Sequence, residues 1–168
     1  MTTWERKVCL LGAAGVGKTS LVRRYVEGIF SDAYLSTIGV KIDRRAVTLG
    51  VDTVNLMVWD IEGETDHRSL RMRYLRGAAG YLLVADGTRP ETLDTAQALQ
   101  ALVADRLPTL PFALLLNKHD LSDRWALPAG RVAELAGRWS VLTTSARTGA
   151  SVGAAFDGLA RRLLPPMG

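Results

Sequence analysis

Short apolar runs alternate with longer amphipathic segments along this chain. Runs of apolar and β-branched residues that predict strands cover positions 8–11, 40–49, 54–60, 81–86, 112–116 and 141–144. Helical periodicity covers positions 19–27, 91–106, 128–138 and 151–163, and the polar, Arg-rich stretch 65–76 predicts a helix or a mobile segment. The second and third strands are nearly adjacent, which indicates a hairpin. Strands that alternate with helices form βαβ units, so the pattern predicts an α/β fold with a mostly parallel sheet covered on both faces.

Composition and charge are those of one ordinary globular domain spanning residues 1–168. The net charge of +4 comes from scattered basic residues, so we expect no nucleic-acid partner. Cys9 is the only cysteine, which excludes an internal disulfide and predicts a buried thiol in a reducing compartment. No apolar run approaches the roughly 20 residues of a membrane span, and no lipid-anchor motif is evident. We therefore expect a cytoplasmic protein.

The turn after the first predicted strand has the pattern of a phosphate-binding loop. The match to G-x4-G-K-[ST] is complete and runs through Gly12, Ala13, Ala14, Gly15, Val16, Gly17, Lys18 and Thr19, with Ser20 following. Glycines let the backbone N–H groups point inward at phosphate oxygens, and the following helix adds its positive end. Lys18 would reach the β- and γ-phosphates, and the Thr19 hydroxyl would bind Mg²⁺. The alternative is a glycine-rich turn without a ligand.

A second distinctive pair follows the third predicted strand. Asp60 and Gly63 form an Asp-x-x-Gly sequence, which is weak evidence alone. It follows the phosphate loop at the spacing where such proteins place a metal-side aspartate. Asp60 would hold Mg²⁺ through water, and the Gly63 N–H would meet a γ-phosphate. A plain strand-end turn is the alternative.

The segment after the fifth predicted strand favours guanine. The Asp120 carboxylate can accept hydrogen bonds from the N1–H and the 2-amino group of guanine. Adenine lacks this donor pair, so the site would reject ATP. The Lys118 stem can lie along the base, and Asn117 can tie this segment to the phosphate loop.

A short polar turn follows the last predicted strand and contains Ser145, Ala146 and Arg147. The Ala146 N–H could donate to the guanine O6. Alone, such a turn does not indicate a nucleotide site. It supports one here because it follows three other motifs of the same kind. In an open parallel sheet, ligands bind at the carboxyl ends of the strands, where all four features fall.

Taken together, these motifs resemble those of a Ras-superfamily small GTPase, most similar to the Rab branch, over residues 7–163. The resemblance implies a three-layer P-loop NTPase fold, with a six-stranded, mostly parallel sheet, one antiparallel hairpin strand and about five helices. Positions 36–40 resemble the first switch segment of that family. By that match Thr37 would bind Mg²⁺ and sense the γ-phosphate, Tyr34 would close over the phosphates, and Phe30 would pack against guanine.

The resemblance also implies an activity and partners. The family binds GDP and GTP with Mg²⁺, hydrolyses GTP slowly and reorders two switch segments when the γ-phosphate leaves. Exchange factors, GTPase-activating proteins and effectors read that change. A hydrolysis-deficient GTP- or GDP-bound interaction module is the alternative, and a P-loop kinase or ATPase is a third reading that Asp120 argues against.

The chain departs from the family where catalysis is expected. The match assigns catalytic roles to Gly63, Lys18, Thr37 and the residue after Gly63, which is Gln in most members and Glu64 here. A carboxylate can accept a hydrogen bond from water but cannot donate one. Two unit charges about 4 Å apart repel by about 4 kcal/mol at an effective dielectric near 20. We therefore expect Glu64 to point away or to take up a proton, and intrinsic hydrolysis to be weak.

Three further departures modify the expectation. Ala14 adds a methyl group where many members have Gly, which would crowd an arginine supplied by an activating protein. Glu62 is either a solvent-exposed loop charge or the partner of Arg68, Arg71 or Arg73. The missing C-terminal cysteine, with the bias toward arginine over lysine, favours a prokaryotic relative or a truncated chain.

Overall fold

The computed structural model describes residues 1–31, 39–61, 63 and 72–166. Within these residues the chain forms six strands and four α-helices. The strands are β1 Thr3–Leu11, β2 Val40–Leu49, β3 Asp52–Ile61, β4 Ala78–Asp86, β5 Phe112–Asn117 and β6 Val141–Thr143. The α-helices are α1 Lys18–Glu27, α2 Glu91–Arg106, α3 Ala129–Ala136 and α4 Val152–Arg162. Short 3-10 helices lie at Met72–Leu75 and Ser122–Arg124.

The six strands form one mixed sheet in the order β2-β3-β1-β4-β5-β6. β1 pairs in parallel with β3 and β4, and the parallel pairing continues through β5 to β6. β2 pairs antiparallel with β3 through a tight hairpin, in which Gly50 takes a left-handed φ of 66°. These pairings confirm the predicted six-stranded fold with one antiparallel hairpin strand.

Helices cover both faces of the sheet, which gives three layers. α1 and α4 pack over one core cluster, whose members include Leu21, Phe156 and Leu159. α2 and α3 pack over the second cluster, whose members include Leu99 and Leu135. The central strands β4 and β5 are buried on both sides and are apolar along most of their length, whereas β2 at the edge of the sheet is mostly exposed. None of the helices in the described part is long and apolar enough to cross a membrane.

The two largest differences between the observed and the predicted elements concern β1 and the number of helices. β1 begins at Thr3 rather than at residue 8. The sequence did not predict its first half, because that half contains charged residues and has no apolar run, although it pairs with β3. About five helices were expected, and the described part contains four α-helices. The segment 65–76 was predicted to be a helix or a mobile segment. Its residues up to 71 lie outside the described residues, and Met72–Leu75 forms a 3-10 helix.

The parallel strands end at one edge of the sheet. Asp86 at the end of β4 lies in register with Asn117 at the end of β5, and Leu10 of β1 lies in register with Asp60 of β3. The turns that follow these strands therefore lie side by side. This edge brings together the four motifs that the sequence separates by more than a hundred residues.

Candidate functional site

Glycine is required in the loop between β1 and α1 by conformation and by close contacts. Gly15 and Gly17 have left-handed φ values of 77° and 102°. A Cβ atom on Gly17 would lie 2.4 Å from Asn117 Nδ2, and one on Gly12 would lie 2.4 Å from the Val84 carbonyl oxygen. Any larger residue at Gly12 or Gly17 would therefore push this loop away from β4 and β5.

The Lys18 ammonium lies inside the curve of this loop. Its side chain is buried, and Nζ donates to the carbonyl oxygens of Gly12 at 2.9 Å and Ala13 at 3.2 Å. Gly63 lies against the same point, because a Cβ there would be 2.6 Å from Ala14 Cα and 2.9 Å from Lys18 Nζ. The structure thus brings the Asp-x-x-Gly turn into contact with the phosphate-loop motif.

Two side-chain oxygen atoms that could ligate a metal ion lie close together, one from Thr19 and one from Asp60. The Thr19 hydroxyl donates to Asp60 Oδ2 at 2.6 Å, and the Asp60 side chain is buried at the end of β3. Hydroxyl and carboxylate oxygens are hard ligands of the kind that Mg²⁺ prefers. The donor set therefore fits the predicted metal. Thr37, the third predicted ligand, lies outside the described residues.

A buried carboxylate at the end of β4 was not identified from the sequence. Asp86 Oδ2 accepts Lys118 Nζ at 2.7 Å and Arg89 Nε at 3.0 Å. Each cation also donates to the phosphate loop: Lys118 to the Gly15 carbonyl and Arg89 to the Ala14 carbonyl, both at 2.9 Å. The only signal in the sequence was that an acidic residue ends an apolar strand at the same edge as Asp60 and Asn117.

Asp86 stays ionised despite its burial. Desolvation by burial acts to raise the pKa of this carboxyl, but hydrogen bonds from Lys118, Thr88 and Arg89 together lower the pKa below its ordinary value. Thr88 contributes both its N–H, at 2.8 Å, and its hydroxyl, at 2.7 Å, to Oδ1. A charged Asp86 therefore holds both cations in place.

Asn117 connects three loops through its side-chain amide. Nδ2 donates to the Val16 carbonyl at 3.0 Å, and Oδ1 accepts the Thr144 hydroxyl at 3.0 Å. The His119 N–H donates to the Thr144 carbonyl at 3.0 Å. The segment after β5 is therefore tied to the phosphate loop on one side and to the segment after β6 on the other.

The predicted base-recognition residues lie together at the end of β5 and β6. The Ser145 hydroxyl donates to Asp120 Oδ1 at 2.8 Å and accepts the Thr148 N–H at 3.1 Å. Ala146 is buried next to them. Arg24 of α1 donates to the carbonyl oxygens of Ala146 and Arg147, a contact that joins residues 122 positions apart and was not anticipated.

The remaining predicted site residues divide into two groups. Tyr34, Thr37, Glu62 and Glu64 lie outside the described residues. Phe30 packs against the core cluster beneath α1 and α4, and Ser20 is a partly buried residue of the first turn of α1. Phe30 was expected against guanine, and its described contacts are with the core.

Comparisons with known proteins agree with this geometry. A model of the Ras family matches residues 7–165. The chain is 34% identical to Ras-related protein Rab-31 of Mus musculus, in an alignment that covers all of this chain and 87% of that protein. It is 37% identical to Ras-related protein Rab5 of Nicotiana tabacum, over 94% of this chain and 80% of that protein. It is 38% identical to Ras-related protein Rab-4B of Homo sapiens, over 94% and 76%.

Proposed function

The chain belongs to the Ras family of small GTP-binding switch proteins, and we propose that it binds GTP and GDP with Mg²⁺ and hydrolyses GTP slowly. One observation carries the proposal. The phosphate-loop motif, the Asp-x-x-Gly turn and the segments after β5 and β6 converge at one edge of the sheet, joined by the side chains of Thr19, Asn117 and Lys118.

Phosphate binding would use the backbone of the loop before α1. Its N–H groups and the positive end of α1 favour an anion there. The Lys18 ammonium would exchange its hydrogen bonds to loop carbonyl oxygens for hydrogen bonds to the β- and γ-phosphates. Thr19 and Asp60 would hold Mg²⁺, together with Thr37. The chemistry that such an ion supplies is neutralisation of charge on the phosphate oxygens. Gly63 would offer its N–H to the γ-phosphate.

Guanine selectivity would come from Asp120, supported by Ser145. Oδ1 already accepts the Ser145 hydroxyl, which fixes the carboxylate plane. The carboxylate would accept the N1–H and the 2-amino group of the base, while Ala146 would donate its N–H to O6. An adenine would leave the carboxylate facing no donor, a penalty that enzymes use for strong discrimination.

The test of this function is a change of base preference. Replacing Asp120→Asn puts a donor where guanine presents its 2-amino group, whereas the 2-oxo group of xanthine would accept that donor. We expect the variant to lose GDP binding by a factor of at least about 100 and to gain affinity for XDP. The exposed neighbour Asp123→Asn is the matched control and should bind GDP as the wild type does. Wild-type protein that binds ATP as well as GTP would contradict the proposal.

Hydrolysis would be weak because Glu64 stands where most family members carry Gln. Single-turnover GTP hydrolysis should be at least as fast in Glu64→Gln as in the wild type, because the amide restores a donor and removes a negative charge beside the γ-phosphate. A clear loss of rate in the variant would sink this part of the proposal.

The second candidate is a GTP- or GDP-loaded interaction module without turnover, which Glu62 and Glu64 favour. The nucleotide that co-purifies with the protein separates the two. GTP indicates the static module, and GDP favours a working hydrolase. Interaction with protein effectors belongs to both candidates, whereas an exchange factor and a GTPase-activating protein belong to the first. The cytoplasmic location and the prokaryotic origin stay predictions.

A further inference from the structure

Arg24 joins helix α1 to the loop after β6. It lies in the last turn of α1, and each of its three guanidinium nitrogens donates to a backbone carbonyl oxygen. Nε donates to Ala146 at 2.8 Å, Nη2 donates to Arg147, and Nη1 donates to Gly28 at 3.3 Å. A guanidinium is planar and rigid, so three acceptors around it fix two chain segments relative to each other.

The backbone on both sides of Ala146 is held. The Ser145 carbonyl accepts the Gly149 N–H at 2.8 Å, and a trans peptide directs the Ala146 N–H opposite to that carbonyl. The next peptide plane is held by Arg24, since its carbonyl is the Ala146 oxygen. The direction of the Ala146 N–H is therefore set by one backbone contact and one side chain.

Arg24 also couples this loop to the phosphate loop. α1 begins at Lys18, and Arg24 follows six residues later, which is about 9 Å of helix. The Arg24 side chain packs against Gly149: a Cβ atom added to that glycine would lie 3.6 Å from Arg24 Cδ. The first turn of α1 thus carries Lys18 and Thr19, the residues proposed to bind the phosphates and Mg²⁺. Its last turn carries Arg24, which holds the loop after β6 that contains Ser145, Ala146 and Arg147 (the base loop).

We propose that Arg24 is a positioning residue for guanine recognition: by holding the Ala146 peptide, it sets the strength of the hydrogen bond from the Ala146 N–H to O6. The inference rests on the proposed function. Asp120 reads the other edge of the base and is supported separately, through the Ser145 hydroxyl. Loss of Arg24 should therefore weaken the hydrogen bond from the Ala146 N–H to O6. It should leave unchanged the hydrogen bonds that Asp120 accepts from N1–H and the 2-amino group.

Two nucleotide analogues distinguish the contribution of the O6 hydrogen bond from that of the 2-amino group. 6-Thio-GTP keeps N1–H and the 2-amino group but carries sulfur, a weak acceptor, in place of O6. ITP keeps O6 and lacks the 2-amino group. In the wild type we expect GTP to bind more tightly than either analogue, by about fivefold for 6-thio-GTP, the value of one modest hydrogen bond. In Arg24→Ala the preference over 6-thio-GTP should fall below twofold, while the preference over ITP should be unchanged.

The neighbouring Arg23→Ala is the matched control. It removes the same charge from the same helix, but Arg23 pairs with Glu27 at 3.6 Å and makes no described contact with the base loop. It should leave both preferences at wild-type values. Arg24→Lys, which retains one donor, should give an intermediate preference over 6-thio-GTP and serves if Arg24→Ala does not fold.

Three results would overturn the inference. The first is a uniform loss of affinity for all three nucleotides in the Arg24 variants, because that would mean that Arg24 only stabilises the fold. The second is a wild type that binds GTP and 6-thio-GTP equally. The third is a wild type that does not prefer GTP over ATP, which would remove the proposed function itself and is recognised before any variant is made.

Discussion

The Asp86→Asn substitution tests whether the buried carboxylate holds the phosphate loop in place. Asp86 is 1% exposed and accepts hydrogen bonds from Lys118, Arg89 and Thr88. Asparagine keeps the shape and one acceptor oxygen, but it removes the charge and turns an amide toward at least one donor. Lys118 and Arg89 then lose the anchor that directs them to the carbonyl oxygens of the loop.

The magnitude follows from burial. Removing one partner of a buried ion pair costs roughly 3–5 kcal/mol, because the remaining charge is left in a poor environment. The Lys118 and Arg89 side chains are 33% and 39% exposed, so water can solvate the released cations in part. We therefore expect Asp86→Asn to lower the free energy of unfolding by about 2–3 kcal/mol.

Urea unfolding of the GDP-saturated protein measures this loss, and Asp94→Asn is the matched control. Asp94 Oδ1 pairs with Arg131 Nη2 at 2.6 Å, a distance as short as those at Asp86, but the Asp94 side chain is 69% exposed. Exposed pairs contribute about 0–1 kcal/mol, so the control should change stability by less than about 1 kcal/mol. Equal losses in the two variants would refute the reasoning.

The pH dependence gives an independent reading of the same carboxylate. Its pKa is lowered in the folded protein, so its stabilising contribution is present above the unfolded-state pKa, near about 4, and is lost as the pH falls through the folded pKa. The stability difference between the wild type and Asp86→Asn should therefore be constant near neutral pH and narrow below about pH 4. A difference that persists unchanged in acid would assign the loss to shape rather than charge.

Two further predictions concern packing near the site. Burial raises the pKa of the Cys9 thiol to about 12, so at pH 8 an aromatic disulfide reagent should label it at least about 100-fold more slowly in native protein than in urea. A Cβ on Gly87 would lie 1.8 Å from Trp125 Cζ3, so Gly87→Ala should cost at least about 2 kcal/mol and increase the solvent exposure of that indole, followed by fluorescence quenching. Gly130→Ala, in open space within α3, should be neutral or stabilising by up to about 1 kcal/mol; a similar loss in both variants would contradict the steric argument.

The fold could be predicted where local pattern and burial coincide. Both β4 and β5 are buried on two faces, so their apolar runs marked them to within three residues, and α2 was placed at its observed bounds. The first half of β1 could not be recognised, because residues such as Lys7 are charged. The Lys7 ammonium lies 3.5 Å from the centre of the Trp59 ring and donates to the Arg76 carbonyl at 2.8 Å, contacts that exist only after folding.

The candidate site could be predicted only where chemistry is concentrated in a few consecutive residues. The phosphate loop and the Asn117–Asp120 segment have this property. The supporting residues Arg24, Asp86 and Arg89 do not, because Arg24 and Arg89 contact loops from 75 to 123 positions away in the chain. Asp86 acts on the phosphate loop through Lys118 and Arg89. Sequence patterns thus identify the groups that would touch the ligand. Among the groups that hold the loops in place, they identified Asn117, which lies inside a motif.

These supporting groups would prepare the loop before α1 for the anion that we propose it binds. Five consecutive carbonyl oxygens each accept a hydrogen bond from a side chain: Gly12 and Ala13 from Lys18, Ala14 from Arg89, Gly15 from Lys118 and Val16 from Asn117. The sixth, Gly17, accepts the Leu21 N–H of α1. Three of the four side-chain donors are cations, so the negative ends of these peptide dipoles are compensated by positive charge. Because Arg89, Lys118 and Asn117 engage the carbonyl groups of Ala14, Gly15 and Val16, this part of the loop backbone would be oriented before phosphate binds. The cost of orienting it would then be borne during folding rather than at binding. It follows that weakening the outer donors Arg89 or Lys118 should reduce phosphate affinity even though neither side chain needs to touch the nucleotide's phosphates.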